Sequence, residues 1–221
     1  GMTPAVIAIE NEHIDALELL VAASADIASV CKDTYGNDTT ALLSAIRKST
    51  ATDAVSILIN GKVDVDGSAH ASRELGTPLC QAAARKKVDV ITMLLDAKAD
   101  INKGHPVAVA VGGSGRDRAK ATALRLLVNA KADVNKAHPQ FGSTPAHVAA
   151  DRANEEMVRI LIEAKADMNQ VNHDGQTPTA VLEAAAAQRS VRANSRHSKH
   201  VQVKKRKLEQ RKTEQLPMPW S

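Results

Sequence analysis

AKADIN occupies residues 97–102, AKADVN residues 130–135 and AKADMN residues 164–169. A hexapeptide that returns at a near-constant interval marks a repeated structural unit, and such a period has to be read before any local pattern. Aligned on their aspartates, five related stretches fall at Asp26, Asp64, Asp100, Asp133 and Asp167, at intervals of 38, 36, 33 and 34 residues. An aliphatic pair precedes each one: Leu20-Val21, Leu58-Ile59, Leu94-Leu95, Leu127-Val128 and Leu161-Ile162. A second signal stands further upstream, at Thr3-Pro4, Thr40-Ala41, Thr77-Pro78, His105-Pro106, Thr144-Pro145 and Thr177-Pro178.

Each signal has a mechanical meaning. A Thr hydroxyl caps free backbone N–H groups at a helix start, and Pro fits the first helical position, where no N–H is needed. The small residues that follow, as in TPLCQAAA at 77–84, let this first helix lie close to its neighbours. A turn and a second helix come next, such as VDVITMLLDA at 88–97, whose Val88, Ile91, Leu94 and Leu95 share one face. Burying each Leu or Ile stabilises by roughly 1.5–3 kcal/mol. That is too little for a lone helix pair against chain entropy, so the units must stack and share one core.

Composition agrees. The chain is 43% apolar, but it holds one Trp, one Tyr and one Phe, with Ala and Leu dominating. Strand-rich folds draw on aromatic and β-branched residues, whereas Ala and Leu favour helix. An all-α protein follows. No apolar run is long enough to span a membrane, and no secretory signal is expected at the start. Cys31 and Cys80 match no metal or redox spacing and read as two reduced thiols of an intracellular protein.

TPLCQAAA at 77–84, TPAHVAA at 144–150 and DGQTPTAV at 174–181, with LLDAKADIN at 94–102 and LIEAKADMN at 161–169, resemble the start and the end of the ankyrin repeat. The resemblance covers residues 3 to about 187 in six units, starting near 3, 40, 77, 105, 144 and 177. It implies a solenoid of stacked helix–turn–helix units with short β-turn fingers, occupying 1–187. The basic segment 188–221 follows as a separate tail. It also implies a protein-binding scaffold without cofactor, metal or small-molecule substrate, whose docking surface is the concave side built from first helices and fingers. On this chain that nominates finger residues Tyr35, Asn37, Phe141, His173 and Asp174, and Gln81 and Arg85 on a first helix. At the T-P-x-H position the resemblance gives His147 a structural hydrogen bond to the Thr side chain.

Departures from the family pattern are informative. The family usually has Gly where Lys62, Lys98, Lys131 and Lys165 stand, at a place that takes a left-handed backbone. A non-Gly residue there costs roughly 1–2 kcal/mol. A cation at a helix C-terminus recovers about 0.3–1 kcal/mol of it. Stacking should align these four lysines in a column, read either as a contact for an acidic partner or phosphates, or as a solubility and helix-end device. Helix start and Asp lie 23 residues apart in units one, three and five, 24 in unit two and 28 in unit four. The extra residues fall in VGGSGRDRAK at 111–120, which lacks the order of a phosphate-binding loop and reads as a lengthened turn. Asn102 and His105 are three residues apart, too few for a finger, so a notch is expected between units three and four.

The tail reverses the charge. Residues 188–221 hold ten Lys or Arg and two Glu, a net of +8, while the other 187 hold 19 and 23, a net of −4, giving the overall +4. A helix from about 178 either continues into this segment or gives way to disorder. Lys204, Lys205, Arg206 and Lys207 are its densest charge, suited to nucleic acid or an acidic protein. Two functions therefore stand side by side: an adaptor that binds a protein through the concave face, and a structural subunit of a large, ribonucleoprotein-type assembly anchored by the tail. Eight scattered histidines form no catalytic or metal motif, so no enzyme is expected. The compartment reads as cytoplasmic or nuclear, with an organellar assembly left open.

Overall fold

A computed structural model describes residues 1–48, 51–68, 76–112, 117–190 and 202. Helices α1 (Pro4–Glu10), α3 (Ala41–Arg47), α5 (Pro78–Arg85), α7 (Pro106–Gly112) and α9 (Pro145–Asp151) are the short first helices of successive units. Their partners are α2 (Ile14–Ala22), α4 (Ala51–Asn60), α6 (Val88–Asp96), α8 (Asp117–Asn129) and α10 (Glu155–Glu163). A further helix, α11, runs over 178–190. Each first helix packs on its own second helix and on the next first helix, and second helices stack in the same order. The result is the all-α stack that the repeat demands.

Threonine starts the first helices as anticipated. Thr3, Thr40, Thr77 and Thr177 each accept a bond from the backbone N–H three residues on. Thr144 shares a reciprocal cap with His147, whose Nδ1 accepts the Thr144 N–H at 3.1 Å and lies 2.9 Å from its hydroxyl. The Nε2 of His147 donates to the Gln176 carbonyl at 2.9 Å, which ties unit five to the start of unit six. Five residues after each helix start stands a buried alanine: Ala8, Ala45, Ala82, Ala110 and Ala149. Second helices contribute Leu58, Leu94, Leu127 and Leu161 on one register, and Leu17, Val55, Ile91 and Leu124 on another, all fully buried.

The recurring hexapeptide resolves into three devices in a row. The N–H groups of Lys98 and Ala99 donate back to the Leu95 and Leu94 carbonyls, closing α6 with a left-handed Schellman turn. The same pair of bonds ends the other second helices at Ser24, Lys62, Lys131 and Lys165. Next, the Asp carboxylate accepts the N–H two residues on, from Asp100 to Asn102, Asp133 to Asn135 and Asp167 to Asn169. Finally the side chain in the Asn position reaches the following unit. Asp66 accepts the Asp100 N–H at 2.9 Å, Asn102 that of Asp133 at 2.9 Å, and Asn135 that of Asp167 at 2.7 Å. Lys103 and Lys136 add bonds to the Asp66 and Asn102 carbonyls along the same edge.

On the opposite edge, where first helices hand over to second helices, cations reach back to the unit before. Lys48 Nζ donates to the Glu10 carbonyl at 2.7 Å and pairs with its carboxylate at 2.9 Å. Lys87 donates to the Lys48 carbonyl, and Arg189 to the Arg152 carbonyl at 2.8 Å. Each cation meets the negative end of a helix macrodipole.

Two irregularities deserve a physical account. Between units three and four the chain makes one tight turn from Ile101 to Gly104 before α7, with no room for a finger. The insertion in unit four is only partly a turn. Residues 113–116 lie outside the described residues, but Asp117–Lys120 extend α8 to 13 residues, against 9 or 10 in the other second helices. Arg118, Ala119, Lys120 and Ala121 are good helix formers, so they lengthen the helix at little cost.

Lys62, Lys98, Lys131 and Lys165 adopt φ of 59°, 67°, 69° and 63°. Replacing all four with Gly should raise stability by up to about 1 kcal/mol per site, because Gly adopts this backbone without strain. Thermal unfolding of the quadruple variant reads this directly, and a fall in Tm refutes the strain argument.

Candidate functional site

The concave side has a floor and a row of fingers. Four residues after the helix starts come Ile7, Ser44, Gln81, Val109, Val148 and Val181, all exposed or half-buried except Ser44, which is buried. That position faces away from the second helices and forms the groove floor, which is apolar at Val109, Val148 and Val181. The fingers rise from the N-terminal ends of the same helices.

The first finger is a two-strand ribbon, β1 (Cys31–Lys32) against β2 (Asp38–Thr39), closed by Asp33 to Asn37. Asp33 is its anchor. One carboxylate oxygen accepts the N–H groups of Tyr35 at 2.9 Å and Asn37 at 2.8 Å, and the other pairs with Arg47 at 3.2 Å. Burial raises the Asp33 pKa, but the Asn37 and Tyr35 bonds and the Arg47 charge outweigh it and hold the carboxyl below its usual range. Arg47 also donates to Thr39 and Ser44, which fastens finger to helix. Tyr35 is thereby presented at the tip with its side chain in solvent, 87% exposed.

The last two fingers support each other. His138 closes one, its N–H donating to the Ser143 carbonyl and its ring tilted against Phe141 at 4.7 Å between centroids. Asn172 closes the next by accepting the N–H groups of Asp174 and Gln176. His173 joins the two: its N–H donates to the Phe141 carbonyl at 3.1 Å and its Nδ1 to the Gln140 carbonyl at 3.0 Å. Gly142, at φ +63°, permits this approach, since a Cβ there would lie 2.6 Å from the His173 ring.

The residues nominated from sequence thus fall into three groups. Tyr35 and Asn37 share the first finger, with the Asn37 amide turned to Asp33 at 3.4 Å. Gln81 and Arg85 lie on α5, where partial burial and then the neighbouring Arg47 charge hold the Arg85 guanidinium below its usual pKa. Phe141, His173 and Asp174 belong to the braced pair, with Phe141 54% exposed and His173 engaged between fingers. Lys62, Lys98, Lys131 and Lys165 are exposed after four successive second helices. Asp64, Asp100, Asp133 and Asp167 follow two residues on, so that column alternates in sign. Lys204, Lys205, Arg206 and Lys207 lie outside the described residues. Sequence reading missed Asp33 and Arg47 and the apolar floor, although the floor could have been found by its constant offset from Thr.

The sequence profile described as ankyrin repeats (3 copies) matches residues 5–105 and 116–193, most of the chain. The chain belongs to the ankyrin-repeat family. No curated protein matches it. Ankyrin repeats are general protein–protein interaction modules. Among the described residues of this ankyrin array, no group of three or more His, Cys, Asp or Glu is placed to hold a metal. No described helix is long and apolar enough to cross a membrane.

Two measurements test the finger anchors. The lowered Asp33 pKa means its stabilisation is complete above the unfolded value of about 4 and is lost as pH falls through the folded value. Asp33→Asn should therefore flatten the acid side of the stability profile and lower Tm at pH 7, as read by circular dichroism. Gly142→Ala should cost about 1–3 kcal/mol in chemical denaturation, because a left-handed backbone and a steric clash coincide.

Proposed function

We infer that this protein is a non-enzymatic scaffold that takes a protein partner along its concave groove, with Tyr35 and Phe141 as anchors and the valine floor as the apolar bed. The observation that carries this reading is Tyr35, 87% exposed on a finger whose backbone is fixed by a buried, charge-paired aspartate. A pre-set aromatic loses little freedom on docking and contributes strongly once covered. Phe141 offers a second such group, and Gln81 and Arg85 supply polar contacts between them. The basic tail supplies a further contact, to an acidic protein or nucleic acid, in the reading where the chain is a subunit of a larger assembly.

Affinity capture with quantitative mass spectrometry tests the two contributions. Tyr35→Ala together with Phe141→Ala should reduce retention of the main partner by at least tenfold while leaving the fold intact by circular dichroism. Deleting 191–221, which keeps residues 178–190, should preserve that partner. Loss of the partner only on tail deletion would overturn the groove reading in favour of tail anchoring.

A further inference from the structure

The edge opposite the fingers carries a feature the groove reading does not use. A polar cleft of ≈ 540 Å³ lies at the first-to-second helix turns of units four to six, lined by Lys120, Arg152, Glu155 and Arg189 with the turn backbone between them. Its size is in the range of small-ligand sites, but its lining is charged rather than apolar, which excludes a hydrophobic occupant. Lys86, from the turn of unit three, feels the charge of this lining. Partial burial and then the charges of Lys120 and Arg152 push its ammonium below the usual lysine value. Three cations from three units thus line one cleft with a single carboxylate.

Helix-end capping accounts for part of this charge. Arg189 donates one bond to the Arg152 carbonyl, and Lys86 one to the Ala84 carbonyl at 2.5 Å. A guanidinium has five N–H donors in a planar fork and an ammonium three, so both retain capacity. Glu155 is a carboxylate already in place among the cations of the lining. A phosphate group brings close to two negative charges and several acceptor oxygens in little more space than a carboxylate. Two arginine forks match its oxygens bidentately. The cleft is also where α11 leads, by way of Arg189, into the basic segment beyond 190.

We propose that the cleft between Lys120, Arg152 and Arg189 binds phosphate groups, either of a free polyphosphate ligand or of a nucleic-acid backbone. The site is independent of the concave groove and of Tyr35. Without aromatic side chains in its lining, it recognises charge and oxygen geometry rather than bases.

The test uses the full chain with K204Q, K205Q, R206Q and K207Q, so that the tail does not mask the cleft, and titrates sodium tripolyphosphate by calorimetry at 150 mM salt. Saturable one-site binding is expected. Arg152→Gln and Arg189→Gln, both at exposed side chains, should each weaken it about tenfold or more. Arg152→Lys with Arg189→Lys should lose less than the glutamine pair, and circular dichroism should show all variants folded. Equal affinity in the glutamine variants, no binding at millimolar ligand, or tighter binding of a Glu-rich peptide of equal charge would each overturn the proposal. A labelled RNA duplex assigns the source while supporting the phosphate site in both outcomes: displacement by tripolyphosphate identifies a nucleic-acid backbone, and absence of RNA binding identifies a free polyphosphate.

Discussion

Successive first helices can lie side by side only where small residues face the contact, and that constraint governs the molecule. Ala8, Ala45, Ala82, Ala110 and Ala149 meet it in five consecutive units, all of them buried. In unit six the equivalent position is Leu182, half-buried, and there α11 runs on past the length of the other first helices. Close stacking brings the second helices into one continuous core and sets the fingers in a row. The groove is a by-product of this spacing rather than a separately built pocket.

Stacking leaves backbone groups at every turn that must find partners. Local caps and reach-over bonds satisfy them together. A left-handed turn, at Ser24 in the first unit and at lysine in the next four, closes each second helix, the aspartate orders the residues just after it, and the next side chain bonds the neighbouring unit. Because each bond spans one unit only, stability is shared between nearest neighbours.

The fold was legible because repetition multiplied weak signals. Thr-Pro alone is a common helix start, but five helix starts, each with an aspartate 23 to 28 residues downstream and those aspartates 33 to 38 residues apart, leave few alternatives. The left-handed lysines were legible for the same reason. The fixing of the fingers was less so. Asp33 meets Arg47 across a strand and a helix, and His173 meets Gln140 across 33 residues, contacts that depend on three-dimensional closure and have no sequence period. The cationic cleft was hidden too, since Lys120, Arg152 and Arg189 come from unrelated stretches of three units. The extra helical turn in α8 was misjudged because the glycines of 111–115 drew the reading away from the DRAKATA that follows.

The fingers also differ in how far a disturbance travels. The ribbon carrying Tyr35 is fastened to its own helix by Asp33 and Arg47, so a load on its tip ends in α3. Phe141 stands on a finger whose neighbour is bonded to it through His173, and that neighbour's Gln176 is bonded to His147 in α9. Touching the first tip deflects one lever; touching the second strains a closed loop of two fingers and a helix, so one end of the groove yields singly while the other responds as a unit.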